Sequence, residues 1–369
     1  MPQAPAAQET IAGTDPHDPW GYRHKVHFVF GNAPPLVMGH YERGSRRIIP
    51  VRECPVHDPR GNALAFVMRD AYARAGVFAA GRSVSPTPAR PRERGSGVLR
   101  SVAIRAGANT SELMTTLVAA DERDKRLRTA TRPLLGHATA FHLNLHPRGD
   151  AFIFGRDTRR LAGTGRMREE VAGMSFLISP TAFFQTNVHA AEILVRLVLD
   201  AVPEGADVLD LYAGAGLFAL PLAKRGHRVI AIEENRAAVA DGEASLRLNR
   251  LASARCRFVP RSVESALAPT MSADVAILDP PRDGCTAAVL ERVFGELRPR
   301  RAVYVSCNPE ALARDLQQIV THAYAIRSLQ PVDMFPHTAH IETVAILDRV
   351  SPNLEPGRRR SRSGYRVDP

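Results

Sequence analysis

Four cysteines are all that this 369-residue chain carries, Cys54, Cys256, Cys285 and Cys307, and no two of them form a CxxC pair. That scarcity argues against a disulfide framework and against a cysteine-based zinc or iron–sulfur site, and it fits a reducing cytoplasm. No run of eighteen apolar residues occurs, so neither a membrane span nor a membrane partner is expected. Met1 to Trp20 lacks a basic segment followed by an apolar core, which excludes a secretory signal; its Pro/Ala content reads as a disordered leader, 1–20. Acidic residues are also in short supply, 38 against 49 Lys plus Arg, leaving a formal charge of +11. A polyanionic partner is the natural inference, because Lys and Arg gain affinity by releasing phosphate counterions. Part of that surplus falls in a Ser/Pro/Arg/Gly-rich stretch, 81–97, read as a flexible loop, and in a basic disordered tail, 351–369. Charge in such segments can serve solubility alone.

What is present describes a globular protein: 44% apolar and 24% charged residues, in a chain too long for one ordinary core. From Tyr22 to about Phe176 apolar and polar residues alternate between turn signals, with helical spacing from Asn62 to Ala75. Strands are expected at 98–104, 112–118, 141–146 and 151–154. This part, 21–176, reads as a mostly antiparallel α+β domain that faces the substrate. Its opening Tyr22-Arg23-His24-Lys25 is suited to base stacking and phosphate contact, or equally to a solvated strand face.

From Asp207 onward strands and helices alternate strictly, with strands at 208–212, 228–233, 257–260, 275–279 and 302–306 and helices between them. The residues 177–350 therefore read as a doubly wound α/β domain, whose ligands collect at the carboxyl ends of the strands. Val303-Tyr304-Val305-Ser306-Cys307-Asn308-Pro309 sets a thiol at such an end, just before a helix that Pro309 can open. A nearby helix dipole and basic groups would favour its thiolate; the plain alternative is a small buried hydrophobe.

Asp210-Leu211-Tyr212-Ala213-Gly214-Ala215-Gly216 ends the first of those strands, and Glu233 the second, where a carboxylate can accept from a ribose diol. Gly214 and Gly216 also satisfy a dinucleotide fingerprint. Asp210 discriminates: an acid directly before the loop suits a cationic, aminoacid-bearing cofactor and repels a pyrophosphate, which favours S-adenosylmethionine. Asp279-Pro280-Pro281 presents an acid at the mouth of the crevice, and Glu342 precedes the last strand. A thiol, two carboxylates and a methyl donor at one crevice suit methylation of a pyrimidine at C5. That carbon becomes nucleophilic only when a thiolate adds at C6, and a base must later remove its proton.

These residues stand in ISPTAFFQTN, LDLYAGAG, DPPRDG, VSCNP and FPHTAHIE, in an order that resembles the bacterial uracil-C5 RNA methyltransferases, which form 5-methyluridine. Weaker likeness extends upstream through GYRHKVHF and ECPVH. The resemblance implies a Rossmann-like class I methyltransferase domain, with Cys307 as nucleophile and Glu342 as base. It implies that Gln185, Tyr212, Glu233 and Asp279 line the S-adenosylmethionine site with the loop glycines Gly214 and Gly216, Asp279 also lying near the uracil. RNA is the implied partner, ribosomal RNA favoured over the transfer-RNA T-loop, acted on by a monomer. Many relatives begin with a β-barrel RNA-binding domain and a cysteine cluster for iron and sulfur. No barrel is expected here, and Cys54 stands alone at the position of the cluster's last ligand, so no cluster is expected either. Leu217 replaces a frequent Asn. Two further readings are a noncatalytic RNA-binding protein, against which Cys307 and Glu342 speak, and a dinucleotide-dependent oxidoreductase.

Overall fold

A computed structural model describes residues 5–32, 36–80, 97–148, 153–267 and 271–350. The first element is a two-residue strand, Ile11–Ala12 (β1). A first unit follows: strands Lys25–Gly31 (β2), Val37–Tyr41 (β3) and Ile48–Pro50 (β4), helix Pro59–Arg74 (α1), strands Leu99–Ala106 (β5) and Leu113–Ala119 (β6), helix Lys125–Thr131 (α2), and strands Ala140–Leu145 (β7) and Asp157–Gly163 (β8). They make one sheet ordered β4-β3-β2-β5-β6-β7-β8. Every neighbouring pair is antiparallel except β6–β7, between which α2 carries the chain back. Alternation along β2 and β5 turns Phe28, Phe30, Val102 and Ile104 onto Leu64, Met68 and Tyr72 of α1, closing a core of its own. Asp58 caps α1 and Pro59 opens it, where the missing N–H costs nothing.

A hairpin, Met167–Val171 (β9) and Met174–Ile178 (β10), leads into helix Val188–Ala201 (α3). The second unit continues with strand Asp207–Leu211 (β11), helix Ala219–Lys224 (α4), strand Arg228–Ile232 (β12), helix Arg236–Leu248 (α5), strand Cys256–Val259 (β13), helix Val263–Ala266 (α6) and strand Val275–Leu278 (β14). Helix Ala287–Leu290 (α7), strand Arg301–Ser306 (β15), helix Pro309–Ile319 (α8) and strands Tyr324–Asp333 (β16) and Glu342–Arg349 (β17) complete it. The sheet order is β1-β16-β17-β15-β14-β11-β12-β13, with β11 to β15 parallel and β17 antiparallel to both neighbours. Apolar side chains bury on both faces, as parallel strands require. The chain reverses direction across the sheet between β11 and β14, and that switch point opens the crevice at their carboxyl ends. Asn187, Asn235 and Asn308 cap α3, α5 and α8 through their side-chain oxygens.

Two boundaries differ from those read in the sequence. Part of the leader is ordered: Ile11–Ala12 pairs in parallel with Val332–Asp333, and the Gln8 N–H bonds the Leu329 carbonyl. Backbone pairing needs no hydrophobic pattern, so a Pro/Ala-rich composition does not reveal it. The break expected at 176/177 falls inside the β9–β10 hairpin, whose Met167, Val171, Met174, Phe176 and Ile178 bury in the core of the second unit. Its backbone is tied there too, Leu177 N–H to Ser245 Oγ at 2.8 Å and Ser179 N–H to Asp241 at 2.7 Å. The last strand of the first unit is Asp157–Gly163 rather than 151–154, of which 151–152 lie outside the described residues. The expected flexible loop, all but Gly97, and the basic tail also lie outside them. No helix among the described residues is long and apolar enough to cross a membrane.

Candidate active site

Immediately after β11 the backbone enters the left-handed region at Tyr212, Gly214 and Gly216, with φ of 61°, 54° and 86°. The two glycines serve different needs. A Cβ on Gly216 would come within 2.8 Å of the Phe258 ring, so the loop must pack there without a side chain. A Cβ on Gly214 would meet nothing within 4 Å; that face is open, and a ligand can approach the backbone. The Gly214 N–H donates to Glu233 Oε2 at 2.9 Å, and the Asn235 N–H donates to Oε1 at 2.7 Å. Glu233 is thus locked at the end of β12, with lone pairs left over for a diol.

Asp210 is wholly buried and neither carboxylate oxygen meets a hydrogen-bond donor in good geometry, although the Ala219 N–H lies close enough to help it. Burial, then Asp279, then Glu233 push its pKa well above the carboxylate range. An unpaired acid in such a place is costly. Because it is sealed within the sheet, it would act on a bound cation through space. Three carboxyl groups around an open glycine cradle fit a positively charged cofactor. Leu217 is buried in the core.

Cys307 follows the last residue of β15, and Glu342 is the first of β17. The register Ser306↔Thr343 sets the two residues at neighbouring strand ends, near enough for the Glu342 carboxyl to act on the Cys307 thiol. Asp279 directly follows the adjacent β14, whose Leu278 pairs with Tyr304. Burial pushes the Glu342 carboxyl up to about 8; Asp279 adds to the shift and the Arg282 guanidinium opposes it. Asp279 is partly exposed as a residue, yet its carboxyl lies deep enough for burial to raise it to about 7.

The thiol of Cys307 is also pushed up, first by burial, then by Glu342 and Asp279, against the pull of Arg282. A resting thiolate was the expectation, and the local structure explains the reversal. Asn308 Oδ1 takes the N–H groups of Glu310 and Ala311, and Pro309 has none, so the start of α8 has little left for the sulfur. Asn308 Nδ2 donates to the Arg282 carbonyl at 3.0 Å, which fastens the cysteine loop to the DPPRDG loop. Arg282 was not singled out in the sequence. Its carboxylate-and-thiol surroundings become visible only when β14, β15 and β17 are adjacent.

Gln185 lies in a segment that the first unit grips. Arg105 is buried and donates to the carbonyls of Phe184 at 3.3 Å and Gln185 at 3.4 Å. Lys25 Nζ reaches the Ala182 carbonyl at 3.3 Å, and the His24 N–H bonds the Thr186 carbonyl at 2.6 Å. The Tyr22 hydroxyl is buried against the Pro336 carbonyl at 2.9 Å. Tyr22, His24 and Lys25 are therefore neither an RNA-stacking face nor a solvated one; they join the two units. Burial drives Lys25 down to about 7 and His24 to about 4. Replacing Arg105 with Ala should leave the Phe184 and Gln185 carbonyls without these donors. Affinity for S-adenosylhomocysteine is expected to fall about tenfold, near the worth of one charge-assisted hydrogen bond. Titration calorimetry would show it, and unchanged affinity would mean that the grip does not reach the cofactor side.

Tyr212 turns towards Cys285, and burial, then Cys285, hold its hydroxyl strongly in the protonated form. Cys54 is half-buried beside the core of the first unit. Among the described residues no group of three or more His, Cys, Asp or Glu could hold a metal ion.

The chain is similar to several known proteins. Residues 257–350 match a family model described as tRNA (Uracil-5-)-methyltransferase, and residues 173–296 match one described as Methyltransferase small domain. An uncharacterized RNA methyltransferase of Gloeobacter violaceus is 37% identical over 338 residues, covering 90% of this chain and 71% of the relative. One from Thermosynechococcus vestitus is 36% identical over 342 residues, covering 89% and 72%. Among solved structures, the Pyrococcus abyssi tRNA (uracil-54, C5)-methyltransferase in complex with S-adenosyl-L-homocysteine superposes with a TM-score of 0.77. It is 27% identical, covering 92% of this chain and 78% of that one.

Proposed function

The chain belongs to the family of uracil-5-type RNA methyltransferases, and from that premise we propose that it methylates C5 of a uridine in RNA through a covalent adduct on Cys307. The observation that carries the adduct is the placement of Cys307, Glu342 and Asp279 at the neighbouring ends of β15, β17 and β14, where both carboxyl groups act on the thiol.

The cofactor, S-adenosylmethionine, supplies an electrophilic methyl group. Gly214, Glu233, Tyr212 and Gln185 would hold it, within the field of Asp210 and Asp279. Cys307 does the covalent work. With its proton removed, the sulfur bonds to C6 and the C5–C6 pair moves onto the C4 carbonyl oxygen as an enolate. Arg282, which lowers the pKa of both Cys307 and Glu342, favours the thiolate that this step needs. Once C5 bears the methyl group, Glu342 takes its remaining proton. The released pair re-forms C5=C6, the C6–S bond breaks, and Cys307 leaves as thiolate. A carboxyl raised to about 8 is a far stronger base than a solvated one, which suits removal of a weakly acidic C–H.

Ribosomal RNA is the substrate we favour, on the ECPVH stretch and the overall pattern. Transfer RNA is the second reading, favoured by the likeness to the Pyrococcus abyssi enzyme. Mass mapping of RNA from a strain lacking the gene separates them. Loss of one 5-methyluridine from ribosomal RNA supports the first, and loss from the T-loop supports the second. An unchanged complement of 5-methyluridine in both would overturn the function.

A further inference from the structure

Trp20 is the only tryptophan in the chain, and half of it, 50%, is exposed. It stacks on His337 with ring centroids 4.1 Å apart and planes within 12°. His337 sits in the left-handed backbone region, at φ 67°, on the exposed turn that ends in Glu342. The turn is braced from within. The Phe335 N–H bonds Asp333 Oδ1 at 3.2 Å, Thr338 Oγ1 donates to the Phe335 carbonyl at 2.7 Å, and the His340 N–H bonds Thr338 Oγ1 at 3.2 Å. Arg282 Nη2 lies 3.3 Å from His340 Nε2, so a guanidinium stands at the same rim.

Fastening the turn to the first unit does not account for the stack. The buried Tyr22 hydroxyl already does that through Pro336. A latch gains from burying an indole, whereas this one leaves half of it in water beside the catalytic crevice.

We propose that the Trp20–His337 pair is a nucleobase platform: a base next to the reacting uridine in single-stranded RNA stacks on Trp20. This rests on the RNA-methylating reading of the site. Drawing a uridine out of its stack strips its neighbours of a partner, and a preformed aromatic face supplies one in return. Stacking is sequence-tolerant, because every base has a π-face, and Arg282 is positioned at the rim to meet the adjoining phosphate. A purine, with the larger face, is the better occupant.

The lone tryptophan reports on itself. The probe is a single-stranded RNA dodecamer with one central uridine flanked by purines, compared with the same strand carrying abasic residues at the flanking positions. At low salt, Trp20 emission should be quenched by the first and much less by the second. Trp20→Ala should bind the first about tenfold more weakly in an anisotropy titration, with Trp20→Phe near wild type. Equal quenching by both strands, no quenching by a strand that binds, or wild-type affinity in Trp20→Ala would overturn the platform. So would a failure of the purine-flanked strand to bind at all, since a stacking face gives affinity independent of sequence. The readout does not need turnover: quenching without methylation anywhere would keep the platform and sink the proposed reaction.

Discussion

Cys307→Ala is expected to abolish methyl transfer and the denaturant-stable RNA adduct together, whereas Glu342→Gln should lose turnover but accumulate the adduct. The difference follows from where each residue acts. Without the sulfur no bond forms at C6, C5 never becomes nucleophilic, and RNA and cofactor are simply bound. Without the carboxylate, addition and methylation can still occur, but the C5 proton stays and the C6–S bond cannot break. Loss of a general base costs roughly 10²- to 10⁴-fold, so turnover should fall into that range while a shifted protein band appears on a denaturing gel. RNA with 5-fluorouridine at the target has no proton to remove at C5 and should trap wild-type protein in the same band. Wild-type turnover in both variants would place the chemistry elsewhere. Lost turnover in Glu342→Gln without adduct would pass the base to another group. Asp279, raised to about 7 on the neighbouring strand, is then the first to test.

The second unit was legible because its signals are local. β-Branched strands such as Val303 to Val305, the capping Asn235 and Asn308 and the glycines of the β11 loop each announce themselves within a few residues, and the observed elements follow the expected ones closely. The motifs that carry Cys307, Asp279 and Glu342 were visible for the same reason, and adjacent strands bring them to one crevice. What stayed hidden depends on partners far along the chain. Ile11 pairs with Val332, Tyr22 bonds Pro336, and Arg105 holds Gln185, all contacts without a periodic signature. Electrostatics was the least legible part. The thiolate expected from a helix start and nearby basic residues gives way to a thiol whose pKa is raised, first by burial and then by the Glu342 and Asp279 carboxyl groups, while capping uses up the helix donors. The depth of Asp210 was not legible either, since one-dimensional sequence does not show how far inside an acid at a strand end lies.

The burial that raises Glu342 should also appear as a pH-dependent cost to the fold, removed by Glu342→Gln. In the unfolded chain a glutamate ionises near the ordinary 4.5, and in the folded protein this one does so near 8. Between those values the folded state keeps a proton that the unfolded state has released. Stability therefore falls as pH rises across that window, by at most about 1.4 kcal/mol per unit, and levels off above it. Below about pH 4.5 the group is protonated in both states and contributes nothing. A glutamine of the same shape never ionises, so the variant should match wild type near pH 4.5 and melt progressively higher from there to pH 8. With Asp279 sharing part of the field, the final gap should be about 3–5 kcal/mol, or roughly 6–20 °C in the melting transition. The same titration should appear in catalysis, where wild-type methylation with limiting RNA rises with pH towards 8 as Glu342 becomes able to accept a proton. Melting curves of both proteins at half-unit steps from pH 5 to 9 check the first effect. A difference that stays flat with pH would mean that Glu342 ionises like a surface carboxylate. The base would then lack the strength that the buried end of β17 is built to give it.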